Sequence, residues 1–325
     1  MLALGVLACA DGAGSTLGPA GTIVHLQVSG VRPLDATTEG RWVVWMLDAQ
    51  GQAHRAGEVA LASGRAEITA PIAGVRAIEL RIESAAGRTG APQVVLRGQF
   101  RNGRADLAVA GALTQAGLGL RDRPGQFTMF TPSDNAVNDY PSHEESGVWL
   151  FNMAPRETIQ NDMWVRLTPL QPGWVYEGWM VRDYGSSAAV WLSYGKFTPD
   201  ASGAVNRRDD TGWGPFSGVV DFQTAGEEEF PGDDWISNPL DLPFPAQLTL
   251  PLDLRERASD GSFRWTHVIT IEPASDRGEP ITTERPFLLR LYRDPFGGAG
   301  PGAARTLTFM GDEVPAGFAE AKPSS

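Results

Sequence analysis

Apolar and polar residues alternate with a period of two along most of the chain, which is the pattern of β-strands with one buried and one exposed face. In the first third of the chain, this alternation and the turns between its runs predict six short strands. They are residues 23–28, 41–47, 58–61, 66–69, 77–82 and 93–97. Since no stretch of this region shows a sustained helical period, the spacing predicts a β-sandwich.

The same pattern returns in the second half of the chain, with longer segments between the strands. The predicted strands there are residues 126–130, 148–152, 163–168, 175–181, 190–192, 268–271, 287–292 and 306–309. The chain also contains 38 Gly and 24 Pro residues, which favour turns over long helices. Pattern and composition together predict an all-β fold.

Short sequence features recur in the same order in the two halves, which indicates an internal duplication. Each pair matches a strand or a turn of the first half with one of the second half. The matched pairs are residues 42–46 with 176–180, 57–59 with 195–197, 63–66 with 202–205, 80–84 with 269–273, and 92–95 with 286–289. The sequence therefore predicts two tandem β-sandwich (Ig-like) domains.

The domain boundaries follow from these matches. The predicted divisions are a signal or lipoprotein-like segment with a tether (1–21), a first β-sandwich (22–101), a linker (102–125), a second β-sandwich (126–310) and a C-terminal tail (311–325). The second domain carries a long insertion over residues 207–262. Residues 106–109 of the linker are a candidate first strand of the second domain.

Three of these segments carry a family resemblance. Residues 174–181 hold a Tyr/Trp pair on a strand, residues 195–203 a Gly-x-Phe strand with an Asp-x-x-Gly turn, and residues 270–275 an Ile-Glu-Pro ending. In these motifs the sequence resembles the extracytoplasmic β-sandwich domain of anti-sigma-K factors of the RskA type. The resemblance implies a tandem of such domains, without the sigma-binding domain or transmembrane helix of that family, and its motifs describe a fold rather than an activity.

The N-terminal residues favour export. Residues 2–10 form an apolar run that is too short to span a bilayer, which takes about 20 residues, and that fits the core of an export signal. The run ends in a sequence similar to a lipoprotein box, so Cys9 is the candidate lipidation site. We therefore expect an extracytoplasmic protein on the periplasmic side, attached to the membrane only through its N-terminus; a short disordered N-terminus is the alternative.

The charge of the chain and the spacing of its reactive residues argue against several classes of function. The net charge is −12 without a Lys/Arg cluster, which excludes nucleic acid as a partner. The four histidines have no metal-ligand spacing to one another or to the single cysteine. Ser193 and Lys196 match a Ser-x-x-Lys motif by chance only, because its partner motifs are missing. The sequence thus predicts no enzyme, no cofactor and no metal site.

Aromatic residues supply the remaining candidates. Tyr176, Trp179 and Trp45 lie on predicted strands, where large aromatic side chains usually form the core. The insertion combines 12 acidic with 4 basic residues and contains six aromatic residues, which favours a packed or docking segment over a solvated linker. The candidate partner-binding residues are Trp213, Phe216, Phe230, Trp235, Asp233 and Asp234. Folding of the insertion against its own domain and calcium binding by its acidic residues are the alternatives, and residues 127–149 form a second candidate docking loop.

Three functions remain open. The first is a non-enzymatic scaffold or accessory subunit that docks through its long loops on a bacterial membrane protein complex, for which an energy-transducing assembly is one candidate. The second is an envelope sensor or regulator related to anti-sigma factors. The third is a glycan-binding module, which exposed aromatic residues in a groove would favour. Two sandwich domains with long loops and no recognisable catalytic motif favour the first.

Overall fold

In the computed structural model, the regular structure of the described residues is almost entirely antiparallel β-sheet. The described residues are 17–37, 39–83, 92–110, 125–129, 144–150, 167, 170, 174–197, 232–236, 244–273, 286, 289–295, 300–310 and 314–321. Within them the single helical element is a 3₁₀ turn at Glu144–Ser146, and no helix is long and apolar enough to cross a membrane. The predicted all-β fold is confirmed.

Seventeen strands are present in the described residues. In chain order they are β1 (Ile23–Ser29), β2 (Arg41–Leu47), β3 (Ala53–Glu58), β4 (Arg65–Thr69), β5 (Ala77–Glu83), β6 (Gln93–Gln99), β7 (Arg104–Val109), β8 (Gln126–Met129), β9 (Gly147–Trp149), β10 (Trp174–Arg182), β11 (Val190–Phe197), β12 (Gly232–Asp234), β13 (Trp265–Pro273), β14 (Leu289–Pro295), β15 (Arg305–Thr306), β16 (Thr308–Phe309) and β17 (Ala316–Ala321). They fall into two compact units, Met1–Ala110 with Pro315–Ser325, and Gly111–Val314.

The first unit is one eight-stranded sheet in the order β3-β2-β5-β6-β7-β17-β1-β4. Its strands alternate buried apolar residues with exposed polar ones, as in β1 and β7. Fully buried side chains from both ends of the strand order supply the core. They include Val24, Leu26, Val43, Val44, Met46, Leu80 and Leu96.

Strand β17 corrects the predicted domain boundaries. Residues 311–325 were expected to form a tail, but β17 pairs with both β1 and β7 inside the first unit. Its sequence is rich in Gly and Ala, which are depleted in strands. Gly317 is needed there because a Cβ on it would lie 2.2 Å from the carbonyl oxygen of Gln27. Because its small residues serve close packing and have low strand propensity, the sequence pattern does not predict β17.

Two other strand predictions in the first unit were wrong. Residues 106–109 belong to β7 of the first unit, paired with β6 and β17, and contribute no strand to the second unit. Strand β3 covers Ala53–Glu58 rather than residues 58–61. Val59 and Leu61 are buried after the strand has ended, so their burial imitated a strand pattern.

The described strands of the second unit form two sheets. A five-stranded sheet has the order β11-β10-β13-β14-β16, and a four-stranded sheet has the order β12-β9-β8-β15. The rings of Phe127 on β8 and His267 on β13 meet edge to face with their centroids 4.2 Å apart. Arg305 on β15 donates to Asp294 on β14 at 2.8 Å. These contacts join the two sheets face to face.

The two units share one strand arrangement in detail. Strand β2 lies between β3 and β5, and strand β10 lies between β11 and β13. In β2 the β-bulge falls between Val44 and Trp45, and in β10 it falls between the matched Gly178 and Trp179. A second bulge falls at the matched positions 80/81 of β5 and 269/270 of β13. The repeat matches on these strands therefore hold residue by residue.

The match between residues 92–95 and 286–289 needs a shift. Ile82 pairs with Gln93 in the first unit, and its counterpart Ile271 pairs with Leu289 in the second. Gln93 therefore corresponds to Leu289, two residues beyond the position that the sequence match gave. A shift of two residues keeps the same side chains on the same face, so the alternating pattern cannot detect it.

Candidate functional site

The predicted core aromatics take two different positions. Tyr176 and Trp179 are fully buried, as expected. Trp45 is only half-buried on the outer face of its sheet, with the guanidinium carbon of Arg81 4.6 Å from its ring centroid. The prediction that Trp45 belongs to the core was therefore wrong, and Trp42 is the buried tryptophan of that strand.

Trp235 is not a docking residue. Its side chain is fully buried, its backbone N–H donates to Ser146 at 2.8 Å, and its carbonyl accepts from Leu252 at 2.9 Å. This part of the insertion folds against its own unit, which was the alternative to docking. Neighbouring Asp233 pairs with Val148 through the strand pair β12–β9.

The other predicted site residues are mostly not described by the structure. Asp234 pairs with Gly147 in the same strand pair, and the side chains of both aspartates lie outside the described set. Cys9, Trp213, Phe216 and Phe230 also lie outside the described residues. The described residues contain no group of three or more His, Cys, Asp or Glu side chains able to hold a metal ion.

A partly exposed aromatic cluster covers the outer face of the five-stranded sheet. Its base is the buried set Trp179, Val181 and Val268. Val268 directly follows His267 in β13, and successive side chains of a strand point to opposite faces. Since His267 faces the four-stranded sheet, the cluster lies on the side of the five-stranded sheet away from it. Two half-buried aromatic side chains, Tyr184 and Trp191, pack on this base.

Two arginines from β14 complete this surface. The guanidinium carbon of Arg290 lies 4.7 Å from the ring centroid of Trp191, and that of Arg293 lies 5.0 Å from Tyr184. The Trp191 ring also contacts Trp179 edge to face at 5.8 Å and Tyr184 at 5.7 Å. We call Tyr184, Trp191, Arg290 and Arg293 the aromatic–arginine patch; each of the four is half-buried.

An ion-pair network fixes the turn that carries Tyr184. Arg264 donates to both carboxylate oxygens of Asp183, with Nε–Oδ1 at 2.8 Å, and to Glu256 at 2.9 Å. Arg182 holds Glu256 with two further hydrogen bonds of 2.8 and 2.6 Å. Asp183 has a φ of 57°, a left-handed conformation that the Arg264 contacts stabilise. The backbone direction at Tyr184 therefore depends on Asp183.

The network also lowers the pKa values of its two carboxyl groups. The hydrogen bond from Arg264 is the main cause for Asp183, and the hydrogen bond from Arg182 is the main cause for Glu256. Hydrogen bonds and nearby positive charge stabilise the ionised carboxylate, which lowers its pKa. Both groups are therefore ionised at neutral pH, and the network is intact there.

The corresponding face of the first unit is closed by ion pairs. Trp45, the counterpart of Trp179, lies beneath Arg81, which donates to the buried carboxylate of Glu79 at 2.7 Å. Arg97 lies 3.4 Å from the same carboxylate, and Arg55 donates to Glu83 at 2.9 and 3.1 Å. Each of these arginines already has a carboxylate within the unit. Within the described residues, Arg290 of the second unit has no such ion pair.

The buried polar side chains of the second unit form hydrogen bonds to one another. The Tyr194 hydroxyl lies 2.8 Å from Nε2 of His267, and the Ser193 hydroxyl donates to Glu177 at 2.7 Å. Burial, with a smaller effect of Arg305, lowers the pKa of His267 to about 3. Burial likewise raises the pKa of Tyr194. Ser193 lies inside strand β11, whereas the Ser-x-x-Lys motif requires a helix start.

The comparisons with known proteins return nothing. No protein-family model, no curated protein and no solved structure matches the chain. The resemblance to the anti-sigma-K factor domain therefore stays a prediction.

The aromatic–arginine patch was not predicted from the sequence. Trp191 stands between Val190 and Leu192, so the local pattern does not assign it to either face. Its partner Arg290 lies three strands away in the sheet order β11-β10-β13-β14. The one usable signal was the residue types, since Trp, Tyr and Arg are the side chains most enriched in interaction hot spots.

Proposed function

We propose that the chain is a non-enzymatic accessory protein that docks on a bacterial membrane protein complex, with the aromatic–arginine patch as its contact surface. One observation carries the proposal: Arg290 stacks on a half-exposed Trp191 and has no ion pair within the described residues. Trp and Arg residues of this kind, held rigidly and partly exposed, contribute most of the binding energy in many interfaces.

The chemistry of the patch indicates the kind of partner surface. Two guanidinium groups lie beside two aromatic rings in a chain whose net charge is −12. A carboxylate of the partner would pair with Arg290, and an apolar side chain would cover the exposed part of Trp191. We therefore infer a partner that presents acidic and apolar side chains together, and electrostatic complementarity of this type favours specific association.

The first unit provides an internal comparison. Its equivalent face has the same strands and bulges, yet its arginines are paired with Glu79 and Glu83. A surface whose charges are already paired gains little from a partner, because such pairs would have to be broken and desolvated. The difference between these paired arginines and Arg290 on the matched face supports a binding role for the second unit.

The location of the partner rests on the N-terminal sequence. The apolar run at residues 2–10 and the box at Cys9 favour export and attachment at the periplasmic side of the membrane. A membrane protein complex is then the partner class within reach of the anchored chain. An envelope regulator would use the same location but would need a signalling partner.

Point variants test this proposal better than deletion of the insertion, because deletion would remove Trp235 and Leu252 from the core. We would solubilise native membranes gently, separate complexes by size and locate the full chain. The wild type is expected to migrate with a large complex, and Trp191→Ala and Arg290→Glu to migrate alone. Arg255→Glu is the matched control, since Arg255 is exposed and lies outside the patch.

Two results would contradict the proposal. One is a wild-type chain that migrates alone at its own mass of 34.9 kDa. The other is normal co-migration of both patch variants, which would place the contact surface elsewhere. Circular dichroism of each purified variant checks that the β-structure is retained.

A further inference from the structure

A shallow groove crosses the outer face of the first unit, over strands β4, β1 and β17. Its volume is about 580 Å³, within the roughly 300–1,000 Å³ typical of small-ligand sites. Five side chains line it from the three strands: His25, Gln27, Arg65, Glu67 and Phe318. The groove lies wholly within the first unit and shares no residue with the aromatic–arginine patch.

The strand register arranges these side chains in two rows. Gln27 pairs with Arg65 on one side and with Phe318 on the other. His25 pairs with Glu67 in the same way, with its Nδ1 3.2 Å from Oε1 of Glu67. Directly opposite residues of neighbouring strands lie about 5 Å apart, so the five side chains converge on one small area.

The polar side chains offer both donors and acceptors. The Arg65 guanidinium only donates, the Glu67 carboxylate only accepts, and the Gln27 amide does both. The charged side chains in and beside the groove carry both signs, Arg65 and Arg104 with Glu67 and Glu320, so the groove does not select strongly for a charged ligand. A ligand rich in hydroxyl groups fits this set, since each hydroxyl donates and accepts at the same time.

Phe318 adds an apolar surface at the end of one row. The guanidinium carbon of Arg104 lies 4.0 Å from its ring centroid and fixes the ring. Arg104 is itself held by Asp106 at 3.0 Å and lies 3.9 Å from Glu320. The side chains that line the groove are therefore mostly polar with one fixed aromatic ring, which suits a ligand that presents both a polar and an apolar surface. Pyranose rings carry an apolar C–H face and hydroxyl edges, which correspond to Phe318 and to the polar row.

We propose that this groove binds a neutral saccharide chain. The ring of Phe318 packs against the C–H face of one sugar, and Gln27, Arg65 and Glu67 bind its hydroxyl groups. This site is independent of docking through the second unit, and each activity is measurable without the other.

Saturation-transfer NMR on the full chain tests the proposal with three probes: maltohexaose, cellohexaose and chitohexaose. We expect transfer from the protein to the ring C–H protons of at least one probe. Phe318→Ala is expected to weaken its binding about tenfold, a loss of about 1.4 kcal/mol, because the variant lacks the ring that packs on the sugar. Gln27→Ala, at an exposed position of β1, gives a second variant that does not depend on the folding of β17.

Trp191→Ala serves as the matched control, because it removes a half-exposed aromatic residue of the second unit that stacks with an arginine in the same way. It is expected to keep saccharide binding and to lose docking, whereas Phe318→Ala is expected to do the reverse. The proposal is overturned if none of the three probes shows transfer, or if both groove variants bind as the wild type does. An oligogalacturonate is measured as an anionic comparison, and transfer to it alone would also overturn the proposal, because the ligand would then be an anion bound by Arg65.

Discussion

The ring of Tyr194 on β11 fills the position that a side chain of residue 178 on β10 would take, and residue 178 is a glycine. A Cβ atom on Gly178 would lie 1.7 Å from Cζ of the Tyr194 ring. Tyr194 is the extra residue of the β-bulge, since Gly178 pairs with Gly195 and Trp179 pairs with Ser193. The ring crosses the backbone of Gly178, and its hydroxyl reaches His267. Glycine at this position thus allows a large aromatic residue to enter the core from a bulge.

At the corresponding β-bulge, other residues fill the space in the first unit. At the matched bulge, Val44 pairs with Gly57 and Trp45 pairs with Arg55, which leaves Ala56 as the extra residue. A medium and a small side chain, Val44 and Ala56, therefore correspond to Gly178 and Tyr194. Cores tolerate exchanges that conserve the total volume better than single changes. The two repeats thus keep the same bulge although the side chains that fill it differ, because a larger side chain at one position is matched by a smaller one at the other.

Gly178→Ala is therefore expected to be strongly destabilising. The added methyl group forces the Tyr194 ring out of its position and breaks the hydrogen bond with His267. Overpacking of this kind costs about 1–3 kcal/mol, and loss of the buried hydrogen bond adds to it. Urea unfolding of the variant measures the loss. Gly300→Ala is the control, because a Cβ there meets nothing within 4 Å; equal stability of both variants would contradict the packing argument.

Burial of His267 predicts a dependence of stability on pH. Its pKa is about 3 in the folded chain, against an ordinary value of 6.5. Between these values the unfolded chain takes up a proton that the folded chain does not, so the free energy of unfolding falls as the pH falls below 6.5. The slope from this one group approaches about 1.4 kcal/mol per pH unit.

Urea unfolding of the wild type and of His267→Gln at pH 7, 6 and 5 tests this expectation. The decline in stability should be shallower in the variant, which lacks the titrating group. The NMR signal of the His267 ring should also remain that of the neutral form down to pH 5. A His267 signal that titrates near pH 6.5 would show that the imidazole is not buried as described.

The network of Asp183, Arg264 and Glu256 predicts a second pH dependence of stability, at lower pH than that of His267. The pKa values of both carboxyl groups are lower in the folded chain, so their contribution to stability is present above their ordinary values of 3.8 and 4.5. It is lost as the pH falls below these values, because the unfolded chain then binds protons more readily. Arg264→Gln should lower the midpoint of urea unfolding at pH 7. It should also weaken the pH dependence of the free energy of unfolding between pH 5 and 3. An unchanged midpoint at pH 7 would mean that the network contributes nothing, as is common for exposed ion pairs.

Sequence patterns predicted the strands of both repeats well and their long-range details poorly. Strands β2 and β10 were found because their apolar residues bury one face, and the repeat placed them in matching positions. The patterns gave no sign of β17, whose Gly317 and Ala319 are selected for close packing rather than for strand propensity. They also did not join Trp191 to Arg290, since only the strand order of the folded sheet brings these residues together. Local physics determines which segments are strands, whereas the site depends on which strands become neighbours.

On the outer face of the first unit, the buried carboxylate of Glu79 allows us to predict how much one buried ion pair contributes to stability. Glu79 is buried, and its carboxylate is held by Arg81 and, at 3.4 Å, by Arg97. Arg81→Met keeps much of the packing on Trp45 but removes the nearer positive charge. Removing one partner of a buried ion pair typically costs about 3–5 kcal/mol, and the remaining Arg97 should reduce that cost.

A double-mutant cycle separates the charge from the packing. Glu79→Gln combined with Arg81→Met removes both charges, so the double variant is expected to be more stable than Arg81→Met alone. Arg41→Met is the control, because Arg41 and Glu58 form an exposed pair 3.8 Å apart that should contribute less than about 1 kcal/mol. If the double variant is no more stable than Arg81→Met, the destabilisation comes from lost packing on Trp45. The arginine would then stabilise this face through its contact with the ring, as Arg290 does on Trp191, and the paired carboxylate would not distinguish the two faces.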